Sequence, residues 1–260
     1  MDLALAAKTV VVTGGAKGIG EAIVRALIAE EAIPVIIDRD ADAGQQLCDK
    51  IRADGSRCEF VRADLAEPGA CKTAAEEAAQ VAGRVAALVN NAGVNDGVSL
   101  ENGNSEEFLT SLRRNLLHYY DMTHHLLSDL KEARGTVVNI GSKVALTGQG
   151  GTSGYAAAKG AILALTREWA VDLLPYGVRV NAVLPAEVMT PLYRQWLGTF
   201  PDPDKKLAAI VGKIPLGQRM TKVEEIAAMV VFLLSPQAGH ITGQHLIVDG
   251  GYVHLDRSLT

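Results

Sequence analysis

A tyrosine and a lysine stand four residues apart, at Tyr155 and Lys159, and Ser142 precedes the tyrosine by thirteen residues. Residues i and i+4 of a helix share one face, so a helix here would place the phenol beside the ammonium. A phenol has an ordinary pKa of about 10, and a neighbouring cation lowers that pKa because it stabilises the phenolate. Such a tyrosine can take a proton from an alcohol near neutral pH. The alternative is an ordinary amphipathic helix, because this spacing is common by chance.

The composition limits the classes of protein to which the chain can belong. Its 260 residues, 48% of them hydrophobic, suffice for one large α/β domain or two small ones. The net charge is −5 with acids and bases interspersed, so we expect no nucleic-acid or anionic-lipid partner. The apolar runs are strand-sized and the amino-terminal segment does not resemble a signal peptide, so we expect no membrane association. The three cysteines lack metal-ligand spacing and fit reduced thiols, which predicts a cytoplasmic protein without a metal site.

Short runs rich in Val and Ile alternate with longer Ala- and Leu-rich helical patterns along the chain. The runs are continuously apolar, which is typical of a sheet covered on both faces. This succession predicts one α/β domain, residues 1–260, with a Rossmann-type, doubly wound parallel sheet of about seven strands and helices on both faces. The predicted strands are Thr9–Thr13, Pro34–Asp38, Glu59–Ala63, Ala87–Asn90, Thr136–Ile140, Val178–Leu184 and His245–Val248. The predicted helices are Gly18–Glu31, Asp42–Asp54, Gly69–Gly83, Ser105–Leu130, Ser153–Pro175 and Lys222–Leu234.

The least regular segment covers about residues 187–216 and contains four prolines. It follows the carboxyl end of a predicted strand, where ligands of parallel sheets bind. We therefore expect this segment to form a lid or a wall of the substrate pocket.

A glycine-rich turn, Thr13–Gly20, lies between the first predicted strand and the first predicted helix. Glycines there permit a tight turn and let the backbone approach a pyrophosphate at the helix N-terminus. Glycine spacing alone is weak evidence, but its position between a strand and a helix predicts nucleotide binding. The candidate cofactor contacts in this turn are Gly14, Lys17, Gly18, Ile19 and Gly20.

Asp38 ends the second predicted strand, 18 residues after the turn. A carboxylate there accepts both hydroxyls of the adenosine ribose and repels a 2′-phosphate, which favours NAD over NADP. A turn-forming aspartate is the alternative, and Lys17 and Arg39 stand where a 2′-phosphate could be met, so NADP stays open. Further candidate contacts at strand ends, each with a structural turn as its alternative, are Asp64, Leu65, Asn91, Ala92 and Gly93.

Together these motifs resemble the short-chain dehydrogenase/reductase family. The matching elements, in order over the whole chain, are Thr13–Gly20, Asp64, Asn90–Gly93, Asn115, Ser142, Tyr155, Lys159 and Pro185–Thr190. The resemblance implies an NAD(P)-dependent oxidoreductase with the sheet order 3-2-1-4-5-6-7. It also implies a homotetramer built on the two long helices after strands four and five.

The resemblance implies catalytic roles for Asn115, Ser142, Tyr155 and Lys159. Tyr155 takes the proton from the substrate hydroxyl while a hydride leaves carbon, and Ser142 orients the substrate oxygen. Lys159 holds the nicotinamide ribose and, with the positive ring, lowers the pKa of Tyr155. Asn115 interrupts its helix and positions a water molecule that relays protons from Lys159. The family pattern adds cofactor contacts at Tyr155, Lys159, Pro185, Val188 and Thr190.

One departure from the family pattern follows the sixth strand, where Pro-Gly is usual and this chain has Pro185-Ala186-Glu187. Alanine tolerates fewer backbone angles than glycine does. Glu187 either places a carboxylate beside the nicotinamide pocket or is a solvated loop acid, and the residues alone leave both possibilities open.

Polar residues, including Asp96 and Arg194, cluster with aromatic residues on the loops expected to rim the substrate pocket. Carboxylates and amides beside an aromatic face suit a polyhydroxylated ring, whereas a steroid or acyl chain requires a mostly apolar pocket. Loops are polar in any case, so a steroid or another secondary alcohol stays the alternative substrate. The candidate substrate contacts are Asn95, Ser142, Lys143, Gln149, Tyr155, Glu187 and Trp196.

A closer resemblance, carried by Asn90–Gly97, Thr147–Gly150 and Pro185–Arg194, is to bacterial L-fucose dehydrogenases. Those enzymes oxidise the anomeric hydroxyl of L-fucopyranose to a lactone, which implies a monosaccharide substrate here. L-Galactose and D-arabinose are stereochemically related alternatives, and a related vertebrate branch is associated with 17β-hydroxysteroids. A non-enzymatic redox sensor of the same fold is a further alternative, against which the intact set of four catalytic residues argues.

Overall fold

A parallel sheet forms the centre of the computed structural model, which describes residues 2–255. Its strands are β1 (Thr9–Thr13), β2 (Ile33–Asp38), β3 (Glu59–Arg62), β4 (Val85–Asn90), β5 (Thr136–Ile140), β6 (Arg179–Pro185) and β7 (His245–Val248). Their order is β3-β2-β1-β4-β5-β6-β7, and every neighbouring pair is parallel. The predicted fold class and strand order are confirmed.

Helices cover both faces of the sheet. They are α1 (Gly18–Ala29), α2 (Ala41–Ala53), α3 (Ala70–Ala82), α4 (Ser105–Leu112), α5 (His118–His125), α6 (Leu127–Ala133), α7 (Ser153–Leu173), α8 (Pro191–Leu197), α9 (Pro203–Val211) and α10 (Val223–Leu234). Short 3₁₀ turns occur at Lys143–Ala145, Leu174–Tyr176 and Pro236–Ala238. None of the helices within residues 2–255 is long and apolar enough to cross a membrane.

The central strands are buried on both faces because side chains alternate across a strand. Val10 and Val12 pack into a core with α1 and α10, whereas Val11 packs on the opposite side with α3, α5 and α7. All three valines are fully buried. This double burial is the physical reason for the continuous apolar runs in the sequence.

The long helix predicted over Ser105–Leu130 is wrong, because the chain forms α4, a π-helical turn (Arg113–Leu117), α5 and α6 instead. Asn115 lies within the π-helical turn. Its Nδ2 donates to the carbonyl of Ser111 at 3.0 Å, and its Oδ1 accepts from the N–H of Val94 at 2.8 Å. The side chain thus competes with the regular backbone bonds of the helix. The interruption at Asn115 that the family resemblance implied is present.

The segment at about 187–216 is more regular than expected, since it contains α8 and α9. Thr190 and Asp202 cap these two helices with side-chain hydrogen bonds to backbone N–H groups. Leu197 is the buried residue of α8, and none of the described residues of α9 is buried. Helix α9 is therefore weakly anchored to the core, and the role of the segment as a lid stays a prediction.

All strands are parallel, so their carboxyl ends meet at one edge of the sheet. Strand order reverses between β1 and β4, because β2 and β3 lie on one side of β1 and the later strands lie on the other. Ligands of doubly wound sheets bind in the crevice at such a switch point.

Candidate active site

A cleft of about 1200 Å³ opens at the switch point. Most of the predicted site residues line it, although their individual roles stay predictions. The predicted cofactor contacts that line the cleft are Gly14, Lys17, Gly18, Ile19, Asp38, Arg39, Asp64, Leu65, Asn91, Ala92, Gly93, Pro185, Val188 and Thr190. The predicted catalytic and substrate residues that line it are Asn95, Ser142, Lys143, Gln149, Tyr155, Lys159, Glu187 and Trp196.

Gly20 and Asn115 are the two predicted residues that lie behind the wall of the cleft. A Cβ atom on Gly20 would collide with the carbonyl oxygen of Gly14, so this position packs α1 closely against the turn. Asn115 is fully buried, and its Oδ1 lies 3.0 Å from where a Cβ on Gly93 would be. Because that oxygen accepts from the N–H of Val94, Asn115 supports the loop after β4. The water relay implied for Asn115 stays a prediction.

The turn after β1 and the end of β4 form a cradle of backbone groups. Thr13 Oγ1 accepts from the N–H groups of Asn91 and Ala92 at 2.9 and 3.1 Å, and Asn91 Nδ2 donates to the Gly14 carbonyl at 2.9 Å. Gly14 has a φ of +62°, and a Cβ there would lie 2.8 Å from the Cα of Ala92. The amino terminus of α1, which begins at Gly18, adds N–H groups that favour an anion. These residues fit the pyrophosphate of a dinucleotide cofactor.

Charged side chains in the loops after β1, β2 and β3 form ion pairs with one another. Lys17 pairs with Asp40 at 2.5 Å, and Arg39 pairs with Asp64 at 3.8 Å. Asp38 accepts hydrogen bonds from two backbone N–H groups at 3.0 and 3.1 Å, which fix its carboxylate. Both cations that could meet a 2′-phosphate therefore face carboxylates.

Tyr155 and Lys159 lie one turn apart on α7, and both line the cleft, as their spacing predicts. Lys159 is 2% exposed, and its Nζ lies 5.6 Å from the centre of the Tyr155 ring. Ser142, two residues after β5, lines the cleft beside Tyr155 and acts to lower its pKa. A phenol, a hydroxyl and an ammonium therefore meet in one part of the cleft.

In the protein alone the surrounding groups raise the pKa of Tyr155, and the lowering implied for Lys159 together with the positive nicotinamide ring stays a prediction. Burial contributes most because it disfavours the phenolate; the Ser142 hydroxyl opposes this shift, and the Asp96 carboxylate adds to it. Burial also lowers the pKa of Lys159 to about 7. Helical spacing places the two groups together but carries no information on how far both are removed from water.

A second tyrosine, Tyr119 on α5, contacts Lys159, and the sequence analysis missed it. Tyr119 is fully buried, and Lys159 Nζ donates to its hydroxyl at 3.0 Å. Lys159 and the Tyr119 hydroxyl both donate to the carbonyl of Ile140, at 2.8 and 2.9 Å. The one available signal was a tyrosine one turn after Asn115, which does not distinguish this residue from an ordinary core aromatic.

Glu187 is buried, so the possibility of a solvated loop acid is wrong. Glu187 and Lys143 are each 8% exposed and form an ion pair. The hydroxyl of Tyr193 donates to the other carboxylate oxygen of Glu187 at 2.7 Å. Lys143 Nζ lies 4.3 Å from the centre of the Tyr252 ring, within cation–π distance. We call Lys143, Glu187, Tyr193 and Tyr252 the substrate-side cluster, of which the two tyrosines were not among the predicted contacts.

The two tyrosines of the substrate-side cluster are held from different parts of the chain. Burial, and then the neighbouring Glu187, raise the pKa of Tyr193, so its phenol stays protonated and donates. Trp196 packs edge-on against Tyr193, with 5.1 Å between the ring centres. Tyr252 lies within a turn in which Asp249 accepts hydrogen bonds from the N–H groups of Gly251 and Val253, each 2.7 Å long.

Four further polar residues were expected at the rim of the substrate pocket. Asn95 and Gln149 line the same cleft as the substrate-side cluster, whereas Asp96 and Arg194 do not. Asp96 accepts a hydrogen bond from Ser111 at 2.8 Å. Arg194 lines a smaller cavity beside α8 that shares Thr190, Pro191 and Gln195 with the cleft, so its place at the rim of the substrate pocket stays a prediction.

No group of three or more metal-ligating side chains occurs among residues 2–255. The three cysteines are free and buried. The predicted lack of a metal and the cytoplasmic location stay predictions.

Known proteins resemble this chain over nearly its whole length. A family model described as enoyl-(acyl carrier protein) reductase matches residues 14–253. L-Fucose dehydrogenase from Bos taurus is 36% identical over 252 residues, which cover 96% of this chain and 91% of that protein. The crystal structure of Cj0485 dehydrogenase has a TM-score of 0.94 and 45% identity, covering 100% of this chain and 99% of that one. The ligand-free structure of Thermoplasma acidophilum aldohexose dehydrogenase has a TM-score of 0.87 and 30% identity, covering 97% and 96%.

These matches extend over the sheet, the cradle and the cleft together. With the Tyr155–Lys159 pair of α7 facing Ser142 at the switch point, they identify both the fold and the class of reaction. The chain belongs to the short-chain dehydrogenase/reductase family and is an NAD(P)-dependent oxidoreductase that acts on a CH–OH group.

Proposed function

We propose that this enzyme oxidises the anomeric hydroxyl of an aldopyranose, with L-fucose as the best candidate, to the lactone with NAD as cofactor. The observation that carries the proposal is the buried Lys143–Glu187 pair, which lines the cleft next to Ser142. Support also comes from the likeness to L-fucose dehydrogenase and to aldohexose dehydrogenase.

The substrate-side cluster offers hydrogen-bonding groups of both kinds. Each oxygen of Glu187 has one partner in the protein and retains capacity to accept from a hydroxyl, and Lys143 has three donors. A sugar hydroxyl both donates and accepts, so neighbouring hydroxyls of a pyranose can satisfy both residues. An apolar alcohol would exclude water from Glu187 and Lys143 without using their remaining hydrogen-bonding capacity, which disfavours it relative to a sugar.

The proposed chemistry uses three side chains of the cleft. Tyr155, as the phenolate, takes the proton of the anomeric hydroxyl, and Ser142 donates a hydrogen bond to the same oxygen. Lys159 would hold the nicotinamide ribose through an ammonium donor. Bound NAD would supply the acceptor for the hydride of the anomeric carbon and a positive ring that favours the phenolate, which burial disfavours.

A panel of sugars and alcohols, followed by NADH absorbance, tests the proposal. We expect the highest kcat/KM with L-fucose or a stereochemical relative such as L-galactose or D-arabinose. Activity with a 17β-hydroxysteroid or an apolar alcohol, together with no signal from any of these sugars, would overturn the sugar assignment in favour of the alternative.

We predict that kcat/KM with NAD exceeds that with NADP by at least about tenfold, because the Asp38 carboxylate would lie against a 2′-phosphate and like-charge contact costs several kcal/mol. Asp38→Ser should narrow this ratio, as measured by initial rates with each cofactor. Asp54→Ser, an exposed residue that does not line the cleft, serves as the control. Equal kinetics of the unaltered enzyme with both cofactors would contradict this use of Asp38.

We further propose that the enzyme forms the homotetramer implied by its family. Large apolar side chains are exposed on the helices concerned, with Leu109 at 55%, Leu117 at 49%, Tyr120 at 50% and Val171 at 66%. Such a surface is typical of contact with a second copy of the chain. Sedimentation equilibrium should give about four times the monomer mass, and the substitution Val171→Glu should lower the measured mass. A monomeric unaltered protein at micromolar concentration would rule out the tetramer.

A further inference from the structure

The ammonium of Lys159 lies in a site made of neutral oxygens and aromatic rings. Its hydrogen-bond acceptors are the hydroxyl of Tyr119 at 3.0 Å and the carbonyl of Ile140 at 2.8 Å. The centres of the Tyr119 and Tyr155 rings lie 5.0 and 5.6 Å away. Within residues 2–255 no carboxylate forms an ion pair with Lys159. Each neutral acceptor therefore matters to whether this lysine is charged.

The direction of each hydrogen bond in this group is fixed. The Tyr119 hydroxyl has one hydrogen, which it donates to the Ile140 carbonyl at 2.9 Å, so its oxygen can only accept from Lys159. An ammonium has three N–H donors, of which Tyr119 and Ile140 occupy two. One donor stays available towards the cleft. Tyr119 thus connects α5 to the end of β5 and to α7 at the point where the ammonium projects.

We propose that Tyr119 is a positioning residue that keeps the ammonium of Lys159 charged and directed so that it can support Tyr155 as the base. The proposal rests on the assignment of Tyr155 as base within the proposed function, but not on the identity of the substrate. Tyr119 acts through Lys159 and does not line the cleft.

The other titratable groups around this site are few. Tyr155 lies on α7, His118 lies beside Tyr119 on α5, and Asp96 acts on Tyr155 from the loop after β4. Burial lowers the pKa of His118 to about 4, so it is neutral near pH 7. Asp64 acts on His118 from the loop after β3. Burial lowers the pKa of Lys159 to about 7, so its charge depends on the neutral acceptors around it.

Tyr119→Phe tests the inference because it retains the ring and removes the acceptor. Loss of the acceptor destabilises the charged form of Lys159, which lowers its pKa and weakens the cation beside Tyr155. The phenolate then becomes less favourable, so the acid limb of the pH profile of kcat/KM should move upwards. A hydrogen bond to a charged group contributes about 1.5–3 kcal/mol, and one pH unit corresponds to about 1.4 kcal/mol, so a shift of about one unit is expected. At pH values below the acid limb, kcat/KM of the variant should be roughly tenfold lower than that of the unaltered enzyme. On the high-pH plateau the two values should agree within about twofold.

Thr123→Val is the matched control. Thr123 lies one turn further along α5, is 6% exposed and donates a hydrogen bond to the Tyr119 carbonyl at 2.7 Å, without touching Lys159. Its loss should lower the melting temperature by a similar amount and leave the acid limb in place. Should Tyr119→Phe fail to fold, 3-fluorotyrosine at position 119 retains the hydroxyl as a weaker acceptor and should shift the limb in the same direction by less.

The pH profile of kcat/KM is measured with the alcohol that the enzyme oxidises fastest. An unshifted limb in the Tyr119 variant, or an equal shift in both variants, would overturn the inference. Retained turnover in Tyr155→Phe would instead overturn the base assignment itself, so the two failures are distinguishable.

Discussion

Tyr155→Phe should lower kcat by about 10²–10⁴-fold, the range that a positioned general base contributes. The ring remains, but the oxygen that takes the proton of the substrate hydroxyl is lost. Binding of NADH should stay within about threefold, because the cradle after β1 and the cation of Lys159 are retained. Steady-state rates at saturating substrate and a fluorescence titration with NADH measure the two quantities.

Tyr176→Phe is the matched control for this experiment, since Tyr176 is 44% exposed and outside the cleft lining. Its kcat should equal that of the unaltered enzyme. Turnover of Tyr155→Phe within about threefold of normal would remove Tyr155 as the base and would require another group to accept the proton.

Glu187→Gln should lower kcat/KM for the sugar by about 10²-fold or more and leave the KM for NAD nearly unchanged. Glutamine retains the shape but removes the negative charge and offers an amide donor to Lys143 or Tyr193, both of which need an acceptor there. Because breaking a buried pair leaves an uncompensated charge, stability should also fall, by about 3–5 kcal/mol as an upper range. Kinetics on the sugar panel and urea unfolding measure both effects.

A double variant, Lys143→Met with Glu187→Leu, separates recognition from stability. Replacing both partners leaves no buried charge unpaired, so stability should return towards that of the unaltered enzyme while sugar oxidation stays low. Glu76→Gln on α3, whose side chain is 66% exposed, controls for loss of a carboxylate elsewhere. Sugar kcat/KM within about threefold of normal in Glu187→Gln would exclude Glu187 from substrate recognition.

The features that could be predicted from the sequence are those determined by local spacing. Tyr155 and Lys159 share a helical face because four residues make about one turn. The glycine-rich turn shows a tight strand-to-helix connection, and continuous apolar runs indicate strands with two buried faces. Because all the strands are parallel, residues that follow them converge on one edge, which is why most of the predicted contacts line one cleft.

The features that could not be predicted depend on contacts between distant positions. Lys143 lies 44 residues before Glu187, and Tyr119 lies 40 residues before Lys159. Periodicity alone also does not show that the side chain of Asn115 would interrupt the helix predicted over Ser105–Leu130. The raised pKa of Tyr155 has the same origin, because removal from water is a property of the packed structure.

The ion pair at the substrate end of the cleft has a consequence for how the two reactants arrive. Lys143 and Glu187 together carry no net charge, so they produce little long-range field and an uncharged molecule approaches them by unassisted diffusion. At the other end Lys17 and Arg39 are paired with Asp40 and Asp64, so the helix dipole of α1 and the Asp38 carboxylate act on an anionic dinucleotide with opposite signs. Added salt should therefore change the rate of encounter with either reactant only slightly.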